Sequence, residues 1–399
     1  MSAFSWAKER YAAVGVDVEA AIAAALAAPI SLHCWQGDDV RGFLFGDAEL
    51  SGGIMATGSH PGRAGNADEL RALLTRALAL LPGAHKLNLH AIYADTDQKV
   101  DLPDLRPEHF APWVDFARAQ GLGLDFNPTC FSHPMAASGL TLSHPDPAVA
   151  DFWSAHLAAS RAIAADFAAK TGQECALNYW FPDGSKEPPA DPMGPRERMR
   201  ARLDAAIKGK LPGVFESLEG KVFGIGAESY TVVTNDFSSL YAATRGIGLT
   251  IDMGHYHPTE EAADKLTSLP AQIPGVQLHL SRGVRWDSDH VLTQSDALLA
   301  VFDVLCGCGL LPKTRIGLDY FDASVDRAAA WVCGARAARC GLLRGLLTPH
   351  AQLRAAEAAG DTTRRLVARE VAVTLPFAAA WQELCDRAGV PVDPWEGLK

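Results

Sequence analysis

The chain has no CxxC pair, no long basic tract and no apolar run long enough to span a bilayer. Its eight cysteines are scattered at 34, 130, 175, 306, 308, 333, 340 and 385, and only Cys306 and Cys308 lie close together. No second Cys or His pair stands at zinc spacing from them, which argues against a thiolate zinc site and leaves buried, reduced thiols as the expectation. Lys and Arg number 36 against 47 Asp and Glu, a formal charge of −11. Phosphate binding needs concentrated basic residues, so a nucleic-acid partner is not expected. The most apolar stretch, "AAIAAALAAPISLHCW", is cut by Pro29 and falls short of a membrane span. "MSAFSWAKERYAAVGVD" lacks the basic and apolar regions of a signal peptide, so a soluble, cytoplasmic protein is expected. No Walker A or GxSxG sequence occurs. "GIGAES" (224–229) has Ser where GxGxxG needs its third Gly, and "SGGIMATGSHPGRAG" (51–65) reads as a mobile loop rather than a phosphate cradle.

What is present is alternation. Eight short runs of strand composition recur at 29–35, 86–93, 122–127, 175–180, 213–221, 247–255, 276–281 and 315–320. Ala- and Leu-rich segments with apolar residues at helical spacing separate them. Strand–helix alternation implies parallel strands with right-handed crossovers, and eight units suggest an α/β fold closed as a (β/α)8 TIM barrel. An open doubly wound sheet is the competing arrangement. After residue 330 the strand signal stops, and the remainder reads as Ala-, Leu- and Arg-rich helices. The expected division is a barrel domain with an N-terminal helix over 1–330 and a C-terminal helical extension over 331–399, packing on the barrel and a neighbouring subunit.

Side chains alternate along a strand, and barrel interiors are normally apolar. Here the strand ends break that rule. Asn88 and His90 share one face of their run, as do Asp125 and Asn127, Asn178 and Trp180, Thr250 and Asp252, Gln277, His279 and Ser281, and Gly317 and Asp319. A parallel sheet buries both faces, so these polar groups are expected inside the C-terminal mouth, where barrel active sites sit.

That inventory is acidic. Glu219, Asp252, Asp287, Asp289 and Asp319 bring five carboxylates into one cavity, with His255 and His279 among them. Carboxylates crowded in low dielectric must be protonated, paired or metal-bound. Lys221 and Arg285 can offset part of the charge, and two divalent cations nearly balance it. Carboxylate-plus-imidazole ligands suit Mn²⁺, Mg²⁺, Co²⁺ or Zn²⁺. Taken singly, each feature has a plainer reading: a buried hydrogen-bonded histidine, or an Asx-turn at Asp287 and Asp289. The joint pattern over successive strand ends points to metal.

Several longer motifs carry a resemblance. "LHCWQGDDVRGF" (32–43), "GGIMATGSHPG", "KLNLHAIYAD", "GLDFNPTCFSHP", "LNYWFPDGSK", "KVFGIGAESYTV", "DMGHYHPTE", "RWDSDHV" and "IGLDYFDAS" resemble the L-rhamnose isomerase family, in order, from about residue 10 to 390. The resemblance implies a (β/α)8 barrel, commonly a homotetramer, with two metal ions per subunit, Mn²⁺ foremost, interconverting L-rhamnose and L-rhamnulose. It further implies that Glu219, Asp252, His279 and Asp319 surround a structural metal that grips sugar hydroxyls. His255, Asp287 and Asp289 are implied to hold a catalytic metal. Lys221 would reach the sugar near its carbonyl end, His90 would hydrogen-bond it, and Trp35, Trp180 and Trp286 would offer it flat apolar walls. One departure is "LEGK", where the family pattern has Ser in place of Gly220, and where Glu216 is an alternative ligand.

The implied chemistry moves hydrogen between C1 and C2 while the carbonyl changes carbon. Paired cations polarise both oxygens, and the C–H hydrogen then shifts as hydride. The rival is an enediol route with Asp319 as general base. A divalent-metal hydrolase or phosphodiesterase, and a non-catalytic sugar-binding protein, are the alternative functions. Several sugars, L-rhamnose, L-mannose, L-lyxose and D-allose, are candidates for the preferred substrate.

Overall fold

Leu87, Leu89, Leu124, Phe126, Leu177, Leu278, Leu280 and Leu318 are all buried at 0% exposure, and each sits on a strand next to at least one polar residue. They lie on the helix-facing side of a closed sheet, where each contributes roughly 1.5–3 kcal/mol by leaving water. In the computed structural model, which describes residues 2–45, 50–51, 53–224, 228–268 and 271–399, all eight sequence-read strands form. They are β1 (Ile30–His33), β2 (His85–His90), β3 (Gly123–Asn127), β4 (Cys175–Tyr179), β6 (Val214–Glu219), β8 (Gly248–Asp252), β9 (Val276–Leu280) and β10 (Thr314–Leu318). β5 (Gly184–Ser185) and β7 (Tyr230–Thr231) form a separate antiparallel pair beside the mouth. The barrel order is β1-β10-β9-β8-β6-β4-β3-β2, parallel throughout, closing where Ile30 meets Ile316 and Ser31 meets Gly317. A (β/α)8 barrel, not an open doubly wound sheet, is the architecture.

Two helices, α1 (Ala3–Ala12) and α2 (Val18–Ala27), precede β1, where one was expected. The helices that follow are α3 (Ala67–Leu78), α4 (Ala111–Gln120), α5 (Pro147–Thr171), α6 (Gly194–Ala206), α7 (Asn235–Arg245), α8 (Ala262–Ser268) and α9 (Asp296–Gly307). Their starts follow elementary capping: the Asn66, Asp146, Thr234 and Ser295 side chains accept from first-turn amides of α3, α5, α7 and α9.

The eighth barrel helix, α10 (Arg327–Leu347), packs against α9, α2, α3 and β1. The boundary expected at 330/331 therefore falls inside a helix of the barrel, because the strand signal ends one βα unit before the barrel does. The fully buried Arg339 ties α10 to the barrel floor by donating to the carbonyls of Ala25, Ala28, Pro82 and Ala84. Beyond it, α11 (His350–Ala358), α12 (Thr362–Val373), α13 (Phe377–Ala388) and α14 (Trp395–Leu398) complete the chain. α13 packs on α1 and α2, whereas α12 touches α11 and buries none of its residues.

All eight cysteines are free, but Cys308 and Cys333 are exposed rather than buried. The Gly-rich stretch is partly tied down. Ala323 N donates to Thr57 O and His60 N to Ala323 O, so this segment pairs with the loop after β10 instead of moving freely. Gly52, and Ile225–Ala227 of "GIGAES", lie outside the described residues. No helix among the described residues is long and apolar enough to cross a membrane.

Candidate metal centre

The lumen is polar from floor to mouth. At the floor Lys86 pairs with Asp125, which also accepts from Ser31 Oγ at 2.6 Å and Ala176 N at 2.7 Å. Above it Asn127 Nδ2 donates to Asn88 Oδ1 at 2.6 Å. At the rim the acids converge on a cavity of about 270 Å³.

Two groups of ligand atoms lie within 4.8 Å of one another: Glu219, Asp252, His279 and Asp319, and then Asp252, His255 and Asp287. Strand alternation places the first set, since β6, β8, β9 and β10 end in adjacent order around the barrel. His279 Nδ1 stands 3.0 Å from Asp319 Oδ2 and 3.3 Å from Glu219 Oε1. His255 Nε2 stands 3.0 Å from Asp287 Oδ2, while its Nδ1 meets the Gly220 carbonyl at 2.7 Å. A backbone carbonyl on one imidazole nitrogen leaves the other free as a ligand. Asp289 completes the rim, lining the cavity beside Asp287.

Glu216 is not a ligand. It lies on the outward face of β6, taken by Arg161 Nε at 2.8 Å and Tyr179 Oη at 2.7 Å. Gly220 also has a local reason: a Cβ there would stand 2.4 Å from Asn235 Oδ1.

The two cations that sequence offered do not neutralise the cluster. Lys221 is buried against Glu228 and the Pro182 carbonyl and is absent from the cavity lining. Burial lowers it to about 8, with Asp183 opposing. Arg285 is exposed, turned outward at φ 70°. The acids' ionisation reflects this deficit. Burial, and then Asp287, Asp319 and Glu219, raise Asp252 to about 8 against the pull of His255. Burial and Asp287 hold Asp289 well above the carboxylate range. Burial alone would depress His279 and His255, yet the surrounding carboxylates hold both well above the usual imidazole value. Asp319 is the exception: burial would raise it, but His279 overcomes that and brings it to about 2.

The arrangement fits divalent cations. Asp287 Oδ1 is buried with no hydrogen-bond partner among the described residues, a state that costs about 1–3 kcal/mol if nothing binds it. An oxygen- and imidazole-rich donor set without thiolates suits Mn²⁺, Mg²⁺, Co²⁺ or Zn²⁺.

Aromatic walls flank the acids. Trp35 is buried and donates from Nε1 to Asp319 Oδ1 at 2.9 Å. His90 lies edge-on to Trp35, its Nδ1 held by Thr129 at 3.2 Å. Burial lowers His90 to about 3, so the ring is neutral. Trp180 lies half-buried beside Phe131, and Trp286 is an exposed rim residue. Phe131, Val40 and Ile54, which also line the cavity, were missed in the sequence because they come from loops without periodicity.

These features define a (β/α)8 barrel with a cluster of acids and histidines at its C-terminal mouth that could hold metal. Known proteins agree with that class and narrow it. A solved L-ribulose 3-epimerase shares the fold at a TM-score of 0.52 and 17% identity, covering 83% of this chain and 98% of its own. The family model L-rhamnose isomerase (RhaA) matches residues 1–396. L-rhamnose isomerases of Cronobacter sakazakii and Yersinia pseudotuberculosis serotype O:1b are each 49% identical over 393 residues, 98% of this chain and 94% of theirs. The chain belongs to the L-rhamnose isomerase family, a family of metal-dependent aldose–ketose isomerases.

Proposed function

We propose that this protein interconverts L-rhamnose and L-rhamnulose in the cytoplasm with two Mn²⁺ ions per subunit. The observation that carries the reading is two converging ligand groups sharing Asp252, with neither Lys221 nor Arg285 positioned to neutralise them. Glu219, Asp252, His279 and Asp319 would hold one ion, and His255, Asp287 and Asp289 the other. When bound, such cations supply Lewis acidity to the two sugar oxygens that exchange carbonyl character.

The chain's own residues do the rest. Neutral His90, fixed at Nδ1 by Thr129, has Nε2 left for a sugar hydroxyl. Trp35, Trp180, Trp286 and Phe131 present apolar surface to the sugar's ring and methyl group and exclude water from the acids. Both oxygens of Asp319 are engaged, by Trp35 Nε1 and His279 Nδ1. That weighs against Asp319 as the general base of an enediol route, and it favours direct transfer of hydrogen between C2 and C1. α12 leaves Leu366, Val367, Val371 and Val373 exposed, and we assign this apolar face to a subunit contact in a homotetramer.

The test is an aldose panel assayed after chelation and after Mn²⁺ is restored, with a parallel run in D₂O. Ketose formation that returns with Mn²⁺, with L-rhamnose preferred over L-mannose, L-lyxose and D-allose, is expected. Turnover after exhaustive chelation would sink the metal reading, and solvent deuterium at C1 or C2 of product would sink direct transfer. Scattering-derived mass should fall in Leu366→Glu.

A further inference from the structure

Six side chains close a hydrogen-bonded ring in the lumen beneath the acids, each at most 3% exposed. Asn178 Nδ2 meets Glu219 Oε2 at 2.6 Å, and Thr250 Oγ1 meets Asn178 Oδ1 at 2.7 Å. Thr250 Oγ1 also lies 2.8 Å from Ser217 Oγ, which lies 3.0 Å from the Gln277 amide. That amide lies 3.2 Å from His279 Nε2, and His279 Nδ1 returns to Glu219 Oε1 at 3.3 Å.

Donor arithmetic fixes a direction around this ring. A carboxylate only accepts, so Asn178 gives its NH₂ to Glu219 and turns its oxygen to Thr250. The Thr250 hydroxyl has one proton, and it goes to Asn178. The 2.8 Å contact with Ser217 then requires Ser217 to donate to Thr250. Ser217 has no second proton, so Gln277 must give its NH₂ to Ser217. A half-turn of the Gln277 amide achieves this and presents Oε1 to His279 Nε2. An oxygen there accepts, so Nε2 carries a proton, and Nδ1, which faces Asp319, Glu219 and Asp252, is the nitrogen whose proton a cation would displace.

Resting on the metal reading above, we propose that Gln277 is a positioning residue that fixes the metal-binding tautomer of His279. The instruction starts at Glu219 and travels through Asn178, Thr250 and Ser217. His255 needs no such relay, because the Gly220 carbonyl settles its tautomer directly. For His279 the neighbour at Nε2 is an amide that can face either way, so the ring decides. Outer partners of metal-bound histidines typically change metal affinity about 10–100-fold when removed.

Thr250 separates relay from packing. Thr250→Val keeps the side chain's shape and removes the hydroxyl, whereas Thr250→Ser keeps the hydroxyl and leaves a gap. Mn²⁺ titrated calorimetrically into the chelator-stripped full chain is expected to bind Thr250→Val and Gln277→Leu about 10–100-fold more weakly than the parent, with Thr250→Ser nearer the parent than Thr250→Val. Parent-like affinity in Gln277→Leu or Thr250→Val, or a loss in Thr250→Ser as large as in Thr250→Val, overturns the relay. Neutron diffraction from the Mn²⁺-loaded parent needs no variant to fold: deuterium on His279 Nε2 supports the proposal, and deuterium on Nδ1 overturns it. A parent chain that binds no Mn²⁺ at all instead brings down the metal reading, which keeps the two failures distinct.

Discussion

Gly254 and Asp287 lie so close that a Cβ on the glycine would stand 2.2 Å from Asp287 Oδ1. The glycine sits between Asp252 and His255, so the gap it leaves is where the second ligand group assembles. Gly254→Ala is expected to push Asp287 aside while the barrel stays folded. Misplacement by about 1 Å in a reacting site costs on the order of 100-fold, so kcat should fall by about that factor with an unchanged circular dichroism spectrum. Parent-like kcat would show that Asp287 has room to move.

Asp289 adopts φ 46°, a region that Asn and Asp enter several-fold more readily than other non-glycine residues. Asp289→Asn keeps shape and backbone and removes only the charge. Its melting temperature should match the parent's, while Mn²⁺ affinity and turnover fall by at least roughly 10–100-fold. Asp289→Ala should lose thermal stability as well, because alanine has no local reason to hold that backbone. Retained turnover in Asp289→Asn would remove this residue from the second ligand group.

Cation binding should release protons. Burial and neighbouring acids put Asp252 at about 8, and His255 and His279 are held well above their ordinary range. At pH 7 the stripped centre therefore holds protons that a divalent ion must displace. Titration of Mn²⁺ in buffers of different ionisation enthalpy should show net release, and affinity should weaken as pH falls below about 8. Binding without proton release would mean that the acids are already ionised.

Away from the centre, His156 offers a test of acid lability. Burial lowers it to about 4, although the Leu102 carbonyl that accepts from Nδ1 works the other way. Between about 4 and the unfolded value near 6.5 the unfolded chain binds the extra proton, so the native state loses stability as pH falls through that window. His156→Gln cannot take up that proton. Its stability relative to the parent should therefore improve as pH drops from 7 to 4.5 in urea unfolding, and a pH-independent difference would contradict the assignment.

Much of this was legible because strand parity is strict. Ser217 and Glu219 share a face of β6, and Glu216 takes the other, where Arg161 meets it. Parity fails where the strand ends. Lys221 follows Gly220, after β6 has stopped, so sharing odd numbering with Glu219 no longer means sharing its face. Arg285 turns outward for the same reason, on a loop with positive φ. The barrel boundary was misplaced because α10 has the same Ala- and Arg-rich composition as the helices that follow it. The cavity's loop-borne apolar residues gave no periodic signal at all.

The closing seam has one more consequence. β1 and β10 share two register pairs, and just above them Trp35 reaches across to Asp319. The rim is thus stitched from residues nearly 300 positions apart, 284 in the case of this pair. A ribosome-bound chain that has not yet delivered its last strand carries most of the acids but no finished cup to gather them. Neither half of the polypeptide alone can make a working centre, so catalysis begins only once translation has passed the final strand.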